Sequence, residues 1–129
     1  MIGLTRFAIV AGAMLGGVAV AAGAFGAHGL KAALEASGQI NNWETAARYA
    51  MIHALALVAV GLFAAVRPDV TGLATSAWCF LVGTLIFSGC LAAIALTDVK
   101  MLGAIVPVGG ILLIAGWAWL ALAATRISR

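Results

Sequence analysis

Apolar positions in this chain gather into four long runs, Phe7–Ala27, Tyr49–Val66, Leu73–Leu96 and Met101–Ala124, parted by short polar stretches. A helix rises ~1.5 Å per residue and a bilayer core is ~30 Å thick, so about 20 apolar residues cross it. Each run is close to that length. The pattern predicts an all-α, polytopic membrane protein: a four-transmembrane-helix bundle forming one domain over residues 1–129. A short amphipathic segment is expected between helices 1 and 2.

Small residues refine the picture. In the first run Gly12, Gly16, Ala19, Gly23 and Gly26 share one stripe at helical spacing. In lipid such a stripe lets two backbones approach closely. In the second run Ala47, Ala50, Ala54, Gly61 and Ala65 form a matching stripe. The two are expected to pack on each other within the chain, with Gly12, Gly16 and Gly23 facing Ala47, Ala54 and Gly61. A seam between two copies is the alternative.

Polar signals place the ends of the helices. Asn41 with Glu44 three residues on has the form of a capping box, so the second helix is expected to begin ahead of its apolar run. Glu44 and Arg48 then form an i,i+4 pair on one face. In Gly29–Asn42, Leu30, Ala33 and Leu34 alternate with Lys31 and Glu35. That spacing predicts an amphipathic turn at the interface, ended by Ser37-Gly38. Trp43 and Tyr49 are expected at one headgroup level, and Trp78, Trp117 and Trp119 toward the other. Thr97–Lys100 reads as a tight hairpin in which Asp98 caps the fourth helix. Pro107 lies two turns into that helix, ahead of Gly109-Gly110, and predicts a kink or local break.

Composition agrees with a lipid environment. Hydrophobic residues are 65% of the chain and charged ones 9%, against about 25% charged in ordinary globular domains. Mean hydropathy is +1.18 and the isoelectric point is near 9.4. The seven basic residues form no patch, so nucleic acid is not an expected partner. With four spans both ends share a side. That side holds Arg6, Arg67, Arg126 and Arg129, and the other holds Lys31, Arg48 and Lys100. The imbalance favours cytoplasmic termini in a bacterial inner membrane. The first run exceeds the ~7–15 residues of a signal-peptide core and is expected to stay as a span.

Candidate chemistry is sparse. Cys79 and Cys90 are eleven residues apart in one helix, ~16 Å along its axis, too far for a disulfide. His28 ends the first span, and His53 lies about a turn into the second, with Tyr49 one turn before it and Arg48 turned away. Hairpin geometry is expected to bring this His28, Arg48, Tyr49 and His53 cluster to one membrane face. Ionisable groups at membrane depth are functional candidates by default. Two histidines could ligate haem if they faced each other across a macrocycle, though close Gly/Ala packing leaves little gap. A histidine beside tyrosine and arginine suits a quinone or an acidic lipid headgroup. A metal site lacks the further thiolate or carboxylate ligands it needs. The structural alternative has His53 bonding a carbonyl or hydroxyl of a neighbouring span. No nucleophile–base set, phosphate loop or intramembrane carboxylate pair is visible, and four helices are too few to enclose a transport path alone.

The stretch Gly23-Ala24-Phe25-Gly26-Ala27-His28-Gly29-Leu30-Lys31, followed by Trp43-Glu44-Thr45-Ala46-Ala47-Arg48-Tyr49 and His53-Ala54-Leu55-Ala56-Leu57, resembles the bacterial YgdD/YwdK family. So do Phe87-Ser88-Gly89, Gly103-Ala104-Ile105-Val106-Pro107-Val108-Gly109-Gly110 and Gly116-Trp117. The resemblance covers nearly the whole chain. It implies a small inner-membrane protein of a domain of unknown function (423), with a mitochondrial counterpart in eukaryotes. It carries no catalytic residues over, and its pattern includes the counterparts of His28, Arg48, His53 and Pro107. The expectation is a non-enzymatic membrane component without a cofactor, packing against membrane lipids, other membrane proteins or a second copy. The alternative is a ligand-binding module for a quinone, haem or lipid headgroup at the His28/His53 end.

Overall fold

The computed structural model describes residues 2–127, and Arg129, counted above for topology, lies outside them. The elements are α1 (Ile2–Ala27), α2 (Lys31–Ser37), α3 (Ile40–Val66), α4 (Leu73–Thr97), a 3₁₀ segment (Lys100–Ala104) and α5 (Val106–Thr125). No strand occurs among the described residues. Gly3–Ala27, Ile40–Val66, Leu73–Thr97 and Lys100–Thr125, of 25 to 27 residues, are each long and apolar enough to cross a membrane.

Small residues crowd the seams and many large apolar side chains face outward, although Leu57, Val60, Leu73 and Phe80 are fully buried. Ala8, Ala54, Ala64 and Ala77 are sealed inside, whereas Met14, Val18, Leu55 and Ile114 point outward. Lipid tails are as apolar as leucine, so large side chains lose nothing by facing them and small ones are kept for the seams. The helices pack as a series, α1 on α3, α3 on α4 and α4 on α5. The outer helices α1 and α5 are accordingly the least buried spans. α1 meets α4 only slightly, through Phe7 and Trp78, whose rings stack with centroids 4.6 Å apart.

The α1/α3 seam uses much of the expected stripe. A Cβ on Gly12 would come within 2.7 Å of the Ala54 carbonyl, and one on Gly61 within 3.1 Å of the Thr5 carbonyl. A Cβ on Gly16 would make only ordinary contact with the Ala54 Cβ, at 3.6 Å. Ala47 is half-buried and Ala65 exposed. Gly23 departs from the expectation: it is exposed, with nothing within 4 Å of a modest side chain. At that level the Trp43 indole fills the seam, donating from Nε1 to the Ala22 carbonyl at 2.7 Å and lying against Gly26. A second glycine seam, absent from the sequence reading, joins α4 to α5. A Cβ on Gly109 would meet the Phe87 backbone nitrogen at 2.5 Å, and one on Gly116 would strike the Phe80 ring.

Two helix ends differ from expectation. α3 starts at Ile40, so Asn41 lies inside it, and Gln39 precedes it without a side-chain cap. The Asn42 amide instead donates to Gln39 Oε1 at 2.8 Å, and Gln39 Nε2 donates to Asp98 Oδ1 at 2.9 Å. Asp98 therefore does not cap the fourth span. It closes α4 in the left-handed region at φ 56°, its N–H bonding the Ile94 carbonyl at 2.8 Å. Pro107 does not kink a continuous helix: the helical path breaks just ahead of it, between the 3₁₀ segment Lys100–Ala104 and α5, and the proline falls in the first turn of α5, where its missing N–H costs nothing. Gly38, at φ 69°, ends α2 with the Gln39 N–H returning to the Leu34 carbonyl at 2.9 Å.

Candidate functional site

The polar centre of the molecule is His53. It lies thirteen residues from either end of α3, ~20 Å from both, and is 4% exposed. Its position follows from the early start of α3: Trp43, Ala46 and Ala50 recur at helical spacing and pack inward, making the segment before Tyr49 continuous with the span. The Trp117 indole Nε1 donates to His53 Nε2 at 3.1 Å. The acceptor role at Nε2 requires the proton to sit on Nδ1, which lies 2.7 Å from the Tyr49 carbonyl and donates to it. Neutral His53 thus spends both ring nitrogens on bonds within the protein.

Aromatic rings complete this centre. Phe80 of α4 lies 5.6 Å from the imidazole and 4.9 Å from the Trp117 indole between ring centroids, the latter edge-on. Tyr49 packs against Phe87 at 4.7 Å. Gly116 makes room for the Phe80 ring between α4 and α5, and Gly109 lets α5 close on the α4 backbone at Gly83 and Phe87. One turn away, Ser76 Oγ donates to the Gly116 carbonyl at 2.8 Å, fixing the same seam.

The expected cluster is only partly brought together. Tyr49 adjoins His53, but Arg48 is exposed on another side of α3. His28 is exposed just beyond α1, twelve residues past Gly16, which sits level with Ala54. That places the two histidines ~18 Å apart along the bundle axis. They do not face each other, so the pair available to a haem in sequence is not a pair in space. Among the described residues no three of His, Cys, Asp and Glu are grouped as metal ligands. Glu44 and Arg48 share an exposed face without pairing; the ion pair among the described residues is Arg67–Asp69.

That pair closes the α3–α4 turn, with Arg67 Nε and Nη2 donating to the Asp69 carboxylate at 2.9 and 2.8 Å. The hydrogen bonds hold the Asp69 carboxyl below its usual range and push the Arg67 guanidinium up. At the same end Arg126 Nη1 donates to the Thr71 carbonyl at 3.0 Å, tying the close of α5 to this turn.

The partners of His53 were not legible as such. Trp117 reads in sequence as an interfacial belt residue, and Phe80 and Phe87 as generic apolar positions. The usable signal was Gly109 and Gly116 at seam spacing on α5, which marks where α4 must approach.

Residues 22–110 match a family described as protein of unknown function (DUF423). The chain belongs to this family. It is 39% identical over 122 residues to a UPF0382 membrane protein of Staphylococcus saprophyticus, covering 92% of this chain and 97% of that one. It is 39% identical over 112 residues to a UPF0382 membrane protein of Staphylococcus haemolyticus, covering 87% and 89%. With the UPF0382 membrane protein YwdK of Bacillus subtilis it shares 36% over 118 residues, covering 92% and 95%. No solved structure matches. The DUF423 chain described here is a small, four-span, all-α membrane protein, and nothing in its family indicates catalysis.

Proposed function

We propose that this protein is a non-enzymatic component of the bacterial inner membrane that packs against lipids and partner membrane proteins, with both termini cytoplasmic. The observation that carries this reading is the commitment of His53. The side chain best placed for intramembrane chemistry has both nitrogens bound, by its own helix and by α5. A group so engaged holds helices together; a general base or ligand needs a free nitrogen. The support for the orientation is the sequence count of basic residues, four (Arg6, Arg67, Arg126 and Arg129) on the side of the termini against three (Lys31, Arg48 and Lys100) on the other.

The test replaces His53 with Phe and Trp117 with Phe, then compares thermal unfolding in mild detergent with the set of proteins and lipids that co-purify. The expected result is lower stability with the co-purifying set retained by whatever protein remains folded. A His53→Phe protein of unchanged stability that loses a bound molecule or a cellular phenotype would make the ring chemical and overturn the reading. Reporter fusions at either end check the orientation.

A further inference from the structure

Beside the end of α4 a groove of about 260 Å³ separates it from α2. Leu30 with Ala33 and Ser37 of α2 form one wall, and Leu96, Thr97 and Asp98 form the other. α4 runs for 25 residues, about 37 Å against a hydrocarbon core of ~30 Å, so Asp98 just past its end stands at headgroup level. Ser37, Thr97 and Asp98 are all exposed. Their side-chain oxygens are acceptors. Ser37 Oγ donates its hydrogen to the Leu34 carbonyl at 3.3 Å, and Thr97 Oγ1 donates its own to Ala93 at 2.6 Å. Asp98 Oδ1 accepts from Gln39 Nε2, while Oδ2 takes no hydrogen bond or ion pair among the described residues. α4 adds the negative end of its dipole here, with no basic residue in its last turn.

We propose that this groove holds a phospholipid with a primary ammonium headgroup, its N–H groups donating to Asp98 and an acyl chain lying along Leu30 and Leu96. Water meets the oxygens but not the apolar walls, and a hydrocarbon chain does the reverse. The occupant that matches both is an amphiphile whose polar end is a cationic donor. Hydrogen bonds from an ammonium to a carboxylate are the stronger, charge-assisted kind. An anionic headgroup would be repelled by Asp98, and a quaternary one has no N–H to give. A divalent ion asks for more oxygen ligands than one carboxylate supplies, and among the described residues no three metal-ligating side chains are grouped. Lys31, which opens α2, and Lys100, two residues past Asp98, are exposed and make no ion pair among the described residues. They flank the groove with positive charge for the lipid phosphate. The site rests on the reading of the protein as a component that packs against lipids, and it names the lipid. It makes no use of His53.

The test uses the full chain in mild detergent, titrated with dioleoyl phosphatidylethanolamine, its N,N-dimethyl derivative, and phosphatidylcholine and phosphatidylglycerol carrying the same acyl chains. Bound lipid is counted by native mass spectrometry, and melting temperature confirms the fold of each variant. Asp98→Asn removes the charge while its amide oxygen keeps the Gln39 bond. Ala33→Phe narrows the groove from an exposed position on α2. The wild type is expected to retain phosphatidylethanolamine about five-fold better than phosphatidylcholine, the upper range for an exposed charge pair, with the dimethyl lipid between them. Asp98→Asn should level the two, and Ala33→Phe should lower retention of phosphatidylethanolamine. Equal retention of phosphatidylethanolamine and phosphatidylcholine by the wild type, preference for phosphatidylglycerol, or a preference that survives Asp98→Asn each overturns the proposal. Lipid retained without headgroup preference defeats this site alone, whereas no lipid retained above background defeats the lipid-packing reading as well.

Discussion

Trp117 of α5 and His53 of α3 are joined by a 3.1 Å hydrogen bond although their helices each pack on α4 and scarcely on each other. The two side chains meet beside Phe80, so one polar contact near mid-membrane ties together three helices. In hydrocarbon neither the indole N–H nor the imidazole lone pair has water to fall back on. Interhelical hydrogen bonds in membranes are nonetheless modest, averaging about 0.6 kcal/mol and reaching about 1.7. Because this one is buried beside aromatic rings, Trp117→Phe should cost toward the upper figure. In reversible unfolding from bicelles, His53→Phe and Trp117→Phe should be less than additive, with a coupling of about 0.5 kcal/mol or more. Full additivity would show that the bond contributes nothing.

The glycine seams predict a contrast between positions that look alike in sequence. Gly109→Ala places a methyl against the Phe87 and Gly83 backbones, and Gly12→Ala places one against the Ala54 carbonyl. Backbone cannot swing aside as a side chain can, so each should lose about 1–3 kcal/mol, the usual range for overpacking. Gly23→Ala meets nothing within 4 Å and should stay within about 0.5 kcal/mol of wild type. Thermal unfolding of the three variants side by side checks this. Equal losses at Gly12 and Gly23 would mean that the whole stripe is a seam.

That contrast also marks how far the sequence could be read. The spans were legible because lipid demands long apolar helices, a requirement that composition and length express directly. The α1/α3 pairing was legible in part, since Gly12, Ala54 and Gly61 sit where helical spacing puts them. Gly23 was not, because the Trp43 indole fills that end of the seam, and nothing in the spacing of small residues reports a bulky neighbour on the facing helix. The cluster of His28 with His53 failed for a related reason. The early start of α3 was expected and it begins at Ile40, but the span was placed from Tyr49 onward, whereas the helix packs into the bundle from Trp43 and puts His53 at its middle. Hydrophobicity locates where an apolar run begins, whereas the helix itself continues through Trp43 and Ala46, which pack inward despite the polar residues between them.

Acid should affect the α3–α4 turn in one direction. Asp69 has a native carboxyl held below its usual range by Arg67. A group lowered in the folded state contributes stability above its unfolded pKa, and that contribution fades as pH falls through the native value. The stability difference between wild type and Asp69→Asn should hence be flat from about pH 8 to 5, above the ordinary Asp pKa of ~3.9, and shrink on further acidification. The pair is exposed, so the difference should be small and weaker still in high salt. Unfolding measured across pH for both proteins decides it, and a difference that grows in acid would contradict the assignment.

Asp98 does two separable things at the far end of α4. Its backbone takes the left-handed conformation at φ 56°, which Asp and Asn tolerate and β-branched residues do not. Its Oδ1 accepts from Gln39 Nε2, clasping the start of α3 to the end of α4. Asp98→Asn keeps both features through its amide oxygen and should be nearly neutral. Asp98→Gly keeps the conformation but loses the acceptor, so the loss of about 0.5–1.5 kcal/mol expected for the bond is partly offset by easier backbone geometry. Asp98→Val loses both and should be the least stable, by roughly a further 1–3 kcal/mol of strain. The predicted order of melting temperatures is Asn above Gly above Val. A valine variant as stable as the glycine one would show that the turn relaxes away from the left-handed region. A glycine variant more stable than asparagine would show that the Gln39 clasp adds nothing.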